Sequence, residues 1–458
     1  MGFLCGMLFN SGEFLFLFLP LCLLGFSWFR SSTTRMVFLL LLSIYFYMVA
    51  YPAYIFILFG LIGVDYLAAL QMDKREGFGR KAWLWISLGS NVLLLASFKY
   101  YNFFGDNLLS LGFSLPKHKW LLPVGLSFHT FQSMSYTLEV YRKAFPVERN
   151  LLRYSLYVLF FPQMVAGPIE RPQNILPQFS PFPAFRSENW KPGLFLLFRG
   201  LFMKVAVADR LSPWVDQVFS APEKAGPYSA WLAVLFFGIQ IYADFSGYSN
   251  MALGSARLLG IDLMVNFKQP YLATSLSDFW RRWHVSLSTW FRDYIYIPLG
   301  GNRVSAFKSA RNLLFVFALS GLWHGAGWNF IVWGALHGLF LVAESRLFPQ
   351  KENRFLVLAW LRTQVWVFLC WVFFRASSLE NGLDVLNACF SPGNGSLVLS
   401  LPDQLYGLLL LVLVPMAEWF NLQEKAFRIA PWICILVLAL AAWFLGNFQS
   451  QSFIYFQF

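Results

Sequence analysis

Charge is scarce in this chain. Asp, Glu, Lys and Arg make up 13% of its 458 residues, about half the share found in soluble globular domains. Positions 312–343 contain none of them. So few ionisable groups cannot cover a water-facing surface, which points away from soluble enzymes and solvent-exposed binding modules. Cysteine chemistry is equally thin. Cys5, Cys22, Cys370, Cys389 and Cys434 form no CxxC pair and no metal-ligand spacing, so they read as small core residues, and neither a metal site nor a thiol nucleophile is expected. Internal repeats, low-complexity tracts and long polar linkers are also missing, and the simplest organisation is one polytopic domain over 1–458.

What fills the chain instead is apolar surface: 58% of residues are hydrophobic and 20% aromatic. Crossing a bilayer takes about 20 largely apolar residues. Windows of that kind begin at 14–29, 36–51, 55–70, 83–98 and 120–140, and continue at 151–166, 194–207, 231–245, 313–340, 355–374, 405–420 and 432–448. The expected fold is therefore all-α and multi-pass, with about 11 transmembrane helices plus re-entrant or interfacial ones. The first window has no basic segment before it and is followed by Arg30 and Arg35, so it reads as a retained helix. On that assignment Arg30/Arg35, Lys74/Arg75/Arg80/Lys81 and Arg142/Lys143 share the cytoplasmic side, as the positive-inside tendency requires. The net charge of +12 suits anionic membrane lipids or an anionic cytosolic substrate. No nucleic-acid partner is expected.

Against this background two histidine segments stand out. Residues 278–311 carry Arg281, Arg282, Arg292, Arg303, Lys308 and Arg311 against only Asp278 and Asp293, interleaved with Trp280, Trp283, Trp290 and other aromatics. This is too polar to span a bilayer, and belongs at the interface or in a protein-lined re-entrant position. Read as one helix, it would set Arg281, His284 and Ser288 on a single face. Some forty residues on, His324 lies in Gly321-Leu-Trp-His-Gly-Ala, where an ionisable group at membrane depth defaults to a functional reading. Of the remaining histidines, His129 and His337 read as packing residues and His118, between two lysines, as solvated.

The run Asp278-Phe-Trp-Arg-Arg-Trp-His284-Val-Ser-Leu-Ser-Thr-Trp290 through Pro298-Leu-Gly-Gly-Asn-Arg303, taken with Gly321-Leu-Trp-His324-Gly-Ala-Gly-Trp-Asn-Phe-Ile-Val-Trp-Gly-Ala-Leu-His337-Gly, resembles the membrane-bound O-acyltransferase family. Within it, the likeness is to the bacterial branch typified by the alginate O-acetylation membrane protein. Gly167-Pro-Ile-Glu170-Arg-Pro172, Ser127-Phe-His-Thr-Phe-Gln-Ser-Met-Ser-Tyr136 and Tyr242-Ala-Asp244-Phe-Ser-Gly-Tyr-Ser249 extend it over nearly the whole chain, with core motifs across 120–345. D-alanyl transfer proteins of teichoic acid synthesis share the Arg-Trp-His and Trp-His-Gly elements. The resemblance implies a ring of tilted helices around a central funnel, with His324 as the signature histidine and His284 as the second polar position. It also implies an acetyl thioester donor, with acetyl-coenzyme A favoured over an acyl carrier protein, a polysaccharide acceptor, an extracytoplasmic acyltransferase or esterase-like partner, and residence in the bacterial cytoplasmic (inner) membrane.

Transfer from a thioester to a hydroxyl needs a base, because an unassisted alcohol is a weak nucleophile. Neutral His324 supplies one. His284, Ser288 and backbone amides near Gly325 are candidate oxyanion donors, and Arg281, Arg282 and Arg292 are candidates for the phosphates of coenzyme A. The tail, 449–458, ends on Phe453-Ile-Tyr455-Phe-Gln-Phe with no cation after Arg428. It resembles terminal aromatic-tyrosine motifs of this family, which implies Tyr455 as a transient acyl acceptor. Three alternatives stay open on sequence alone: direct O-acylation of a lipid-linked sugar, D-alanyl-type transfer from a carrier protein, and a non-catalytic transporter.

Overall fold

The computed structural model describes residues 7–49, 52–118, 120–165, 167–348, 356–391, 395–397, 399–448 and 453–454. Among these every regular element is helical. Six helices are long and apolar enough to cross a membrane: Pro52–Asp73, Gly77–Leu109, Pro227–Leu258, Trp328–Leu347, Leu356–Arg375 and Leu401–Trp419. Three shorter apolar helices, Phe14–Trp28, Ser32–Met48 and Pro431–Leu445, accompany them. The apolar windows outnumber the long helices because several windows break. The 151–166 window stops at Leu159 and restarts at Phe161 with Pro162 in its first turn, and the 313–340 window folds back on itself.

The chain divides into two compact units, 1–197 with 248–264, and 198–247 with 265–458. In the first, the helix Leu126–Tyr141 buries Ser127, His129, Thr130, Gln132, Ser133, Ser135 and Thr137. Such a helix is enclosed by protein, since lipid offers these groups no hydrogen bonds. A neighbouring cluster satisfies the fully buried Asp65, which accepts from Ser87 Oγ at 2.7 Å and from Asn91 Nδ2 at 3.0 Å, while Ser87 also donates to Thr137 Oγ1 at 3.0 Å.

In the second unit the decisive element is a helical hairpin, Ala306–His324 and Trp328–Leu347, joined by Gly325, Ala326 and Gly327. The glycines let the two backbones touch. A Cβ on Gly321 would lie 2.1 Å from the Phe330 carbonyl oxygen, and one on Gly334 2.1 Å from that of Phe317. Because Gly325 adopts extended backbone, His324 is the last residue of its helix.

Gly334→Ala is therefore expected to push the hairpin apart at a cost of about 1–3 kcal/mol. A lowered thermal midpoint of the detergent-purified protein measures it; an unchanged midpoint would mean that the helices do not depend on this contact.

Candidate active site

The segment carrying His284 is pinned before it reaches the site. Leu276–Arg282 is a short helix whose first turn is capped twice: Ser275 Oγ accepts from the Asp278 amide at 3.1 Å, and the Glu344 carboxylate accepts from the Leu276 amide at 3.0 Å. Arg362 holds Glu344 in turn, at 3.1 Å. The helix then ends, and a second one, Val285–Phe291, begins. Arg281, His284 and Ser288 are thus not on one helical face, contrary to the reading of this stretch as a single helix.

The break has a cause. The Lys268 amide donates to the Arg282 carbonyl and the Val285 amide to the Asn266 carbonyl, both at 2.9 Å. These bonds capture the backbone around residue 284 and hold His284 at φ 43°, ψ 54°, the left-handed region that L side chains enter only at a cost. The reward is placement: the Arg281 side chain stays 64% exposed, while His284 is wholly buried.

The Asn266 side chain fixes the imidazole. Its Oδ1 lies 3.1 Å from His284 Nδ1 and accepts from the Ser286 amide at 3.2 Å and Ser286 Oγ at 3.0 Å. A main-chain N–H can only donate, so the atom facing it is the amide oxygen, and Nδ1 must carry a proton to bond to it. Burial pushes the His284 imidazole down to about 3, so the ring is neutral and its Nε2 bears a lone pair. In that state His284 accepts a proton or hydrogen bond and does not donate one to an oxyanion.

His324 is 3% exposed, and its ring centroid lies 6.5 Å from that of His284. Aromatic edges and faces wall it in: Trp323 at 4.9 Å, Trp333 at 5.0 Å and Phe374 at 5.3 Å. Phe245 packs edge-on against His284 at 4.6 Å. His337 sits behind Trp333, 5.2 Å away, and contacts Trp280 at 4.9 Å. The two motif histidines therefore meet in one buried aromatic cage, with His337 in its wall.

Other candidates stand apart from the cage or are already engaged. Ser288 Oγ donates to the Trp283 carbonyl at 3.1 Å and the Gly325 amide to the Gly321 carbonyl at 3.2 Å. Arg281 and Arg282 pair with Asp278, at 3.8 and 2.8 Å, and Arg292 with Asp293 at 2.7 Å. Among the described residues no group of His, Cys, Asp and Glu could hold a metal ion. Tyr455 lies outside the described residues. Two residues before it, however, Phe453 is buried against Phe245 at 5.7 Å, and the Ile454 amide donates to Asp244 Oδ2 at 2.8 Å.

Sequence reasoning missed Asn266, Lys204 and Glu344. Asn266 carried no signal, being one amide in an ordinary loop. Lys204 did: it is the sole charge in the otherwise apolar stretch 200–208, and such a lysine is either buried with a partner or at an interface.

Replacing His284 by Gln puts an N–H donor where Nε2 stands. Activity lost in His284→Gln by about 100-fold or more is expected from a proton-accepting ring; near-wild-type turnover would make the ring a donor instead. Asn266→Leu, which removes the acceptor of the Nδ1 proton, should fall with it, whereas Asn266→Asp retains an acceptor and should keep more activity in the same assay.

Residues 118–375, which include His284 and His324, match the MBOAT, membrane-bound O-acyltransferase family. The chain is 38% identical over 416 residues to a probable alginate O-acetylase of Pseudomonas putida, covering 89% of this chain and 85% of that protein. It is 36% identical over 419 residues to a peptidoglycan O-acetyltransferase of Helicobacter pylori, covering 83% and 79%. A teichoic acid D-alanyltransferase of Bacillus subtilis matches more narrowly, at 26% over 264 residues, 55% of this chain and 65% of that protein. The chain is a multi-pass membrane protein and an O-acyltransferase, and it belongs to the membrane-bound O-acyltransferase family.

Proposed function

We propose that this enzyme takes an acetyl group from a cytosolic thioester, acetyl-coenzyme A, and passes it across the bacterial cytoplasmic membrane toward a cell-surface or exported polysaccharide. The observation that carries the reading is the meeting of His284 and His324 in one buried cage, 6.5 Å apart, with tail residue Phe453 on the ring that packs against His284. The acetylating names of the relatives with the wider coverage favour acetyl over D-alanine.

In this reading His324 accepts the proton of an incoming hydroxyl. The hydroxyl oxygen attacks the thioester carbonyl, the C–S bond breaks, and the thiol leaves with that proton, so the base is regenerated. A neutral imidazole suits the role, because it takes the hydroxyl proton as an imidazolium and returns to neutral when the thiol leaves with that proton. The His284 Nε2 lone pair offers a second acceptor, so oxyanion stabilisation falls to other N–H donors. The hydroxyl is that of Tyr455, and the resulting ester is handed to an extracytoplasmic acyltransferase or esterase-like partner that acts on the polymer. Arg281, Arg282 and Arg292 supply three guanidinium groups against two carboxylates for the donor's phosphates.

Polymer-bound acetyl in producing cells tests this chemistry. His324→Ala and Tyr455→Phe should each lower it by about 100-fold or more. Full acetylation in Tyr455→Phe with none in His324→Ala would instead assign direct transfer to a sugar in the membrane. Arg281→Gln combined with Arg292→Gln should raise KM for the coenzyme A thioester several-fold and flatten its salt dependence while leaving kcat nearly unchanged; an unaltered KM would remove the arginines from donor binding.

A further inference from the structure

The acyl transfer does not use the most costly polar group in the second unit. Lys204 is 1% exposed, Asp209 2% and Asp244 3%. Lys204 Nζ sits 2.8 Å from Asp209 Oδ1 and 2.6 Å from Asp244 Oδ1. Three buried charges rarely add stability over apolar residues of the same volume, so their retention calls for another role.

The local backbone indicates one. Met203–Ala208 is a π-helical stretch, and the change of hydrogen-bond register there frees carbonyls for outside partners. Val205 O accepts from the Asn447 amide at 2.8 Å and Ala206 O from Tyr406 Oη at 2.6 Å. Asn447 Nδ2 reaches the Asp209 carbonyl at 3.1 Å. Seven residues later the Ile454 amide donates to Asp244 Oδ2 at 2.8 Å. The C-terminal segment thus touches this cluster at its base, Asn447, and again near its tip, Ile454. Gly247, one turn beyond Asp244, permits the approach: a Cβ there would lie 2.8 Å from the Gly200 carbonyl oxygen and 3.0 Å from the Lys204 amide nitrogen.

We propose that Lys204, Asp209 and Asp244 form a docking clamp for the C-terminal segment, with Asp244 as the positioning residue that seats Ile454 and Phe453 beside the Phe245–His284 contact. Lys204 orients the Asp244 carboxylate from one oxygen at 2.6 Å, leaving the other to accept from the Ile454 N–H, and an ion-paired carboxylate is a stronger acceptor than an amide. The clamp touches no reacting atom. It sets how often the residue after Ile454 reaches the histidines, and this consequence rests on the acyl-tyrosine reading above.

Two lesions break the same bond from opposite sides. Asp244→Asn weakens the acceptor, and Ile454→Pro removes the donor without altering the charged cluster, so it guards against misfolding of the first variant. Hydrogen exchange of the C-terminal peptide in the reconstituted full chain, followed by mass spectrometry, should accelerate at least tenfold in both. Acetyl label arriving on Tyr455 from acetyl-coenzyme A should slow tenfold or more with KM for the thioester unchanged, a split that general destabilisation would not give. Unchanged exchange in both variants overturns the clamp. Accelerated exchange with wild-type labelling overturns its positioning role. A wild-type tail that never carries label, while exchange still responds to both variants, refutes the acyl-tyrosine reading and leaves the clamp as the anchor of the tail.

Discussion

A polar group in the apolar interior of this protein is stabilised only by partners within the chain, because lipid offers none. That constraint explains the architecture of the site better than helix propensity does. Asn266 gathers three donors on its side-chain oxygen, which decides which imidazole nitrogen bears the proton, while its carbonyl accepts from the Val285 amide and, with the Lys268–Arg282 bond, holds His284 in the left-handed region. Glu344, on a spanning helix, caps the segment leading to His284 and is itself held by Arg362. His284 is thus held by a chain of satisfied hydrogen bonds, each made where leaving it unmade would cost more than the bond yields.

His324 was legible because a charge-free stretch of 32 residues holds just two imidazoles, and the Trp-His-Gly neighbours of His324 carried the family resemblance. The all-helical, multi-pass fold followed from apolar content alone. Less could be read of how the windows break: a Gly-Ala-Gly link turns one apolar run into a backbone-contact hairpin, a tertiary effect with no signature in hydropathy. The same limit hid the break at Trp283–His284, where spacing of three and four suggested one helical face but loop residues 266–268 capture the backbone.

Residue type left the hydrogen-bonding of His284 and Ser288 open. Sequence allowed His284 and Ser288 as oxyanion donors. Geometry commits the Ser288 proton to the Trp283 carbonyl and the His284 proton to Asn266. The atom of the His284 ring left for a proton-accepting role is therefore Nε2. Such an acceptor suits a reaction in which a hydroxyl proton is taken up before a thiol can leave. Of the tail, Phe453 packs on Phe245 and the Ile454 amide bonds Asp244, a member of the buried Lys204–Asp209–Asp244 cluster.

The most direct measurement is mass spectrometry of the C-terminal peptide after the reconstituted enzyme is mixed with isotopically labelled acetyl-coenzyme A and quenched within one turnover. Labelled acetyl on Tyr455 in the wild type, absent in His324→Ala, is the expected result. Coenzyme A released by the wild type with no label on the peptide at any quench time would contradict an acyl-tyrosine route and assign the acetyl group to an acceptor outside the chain.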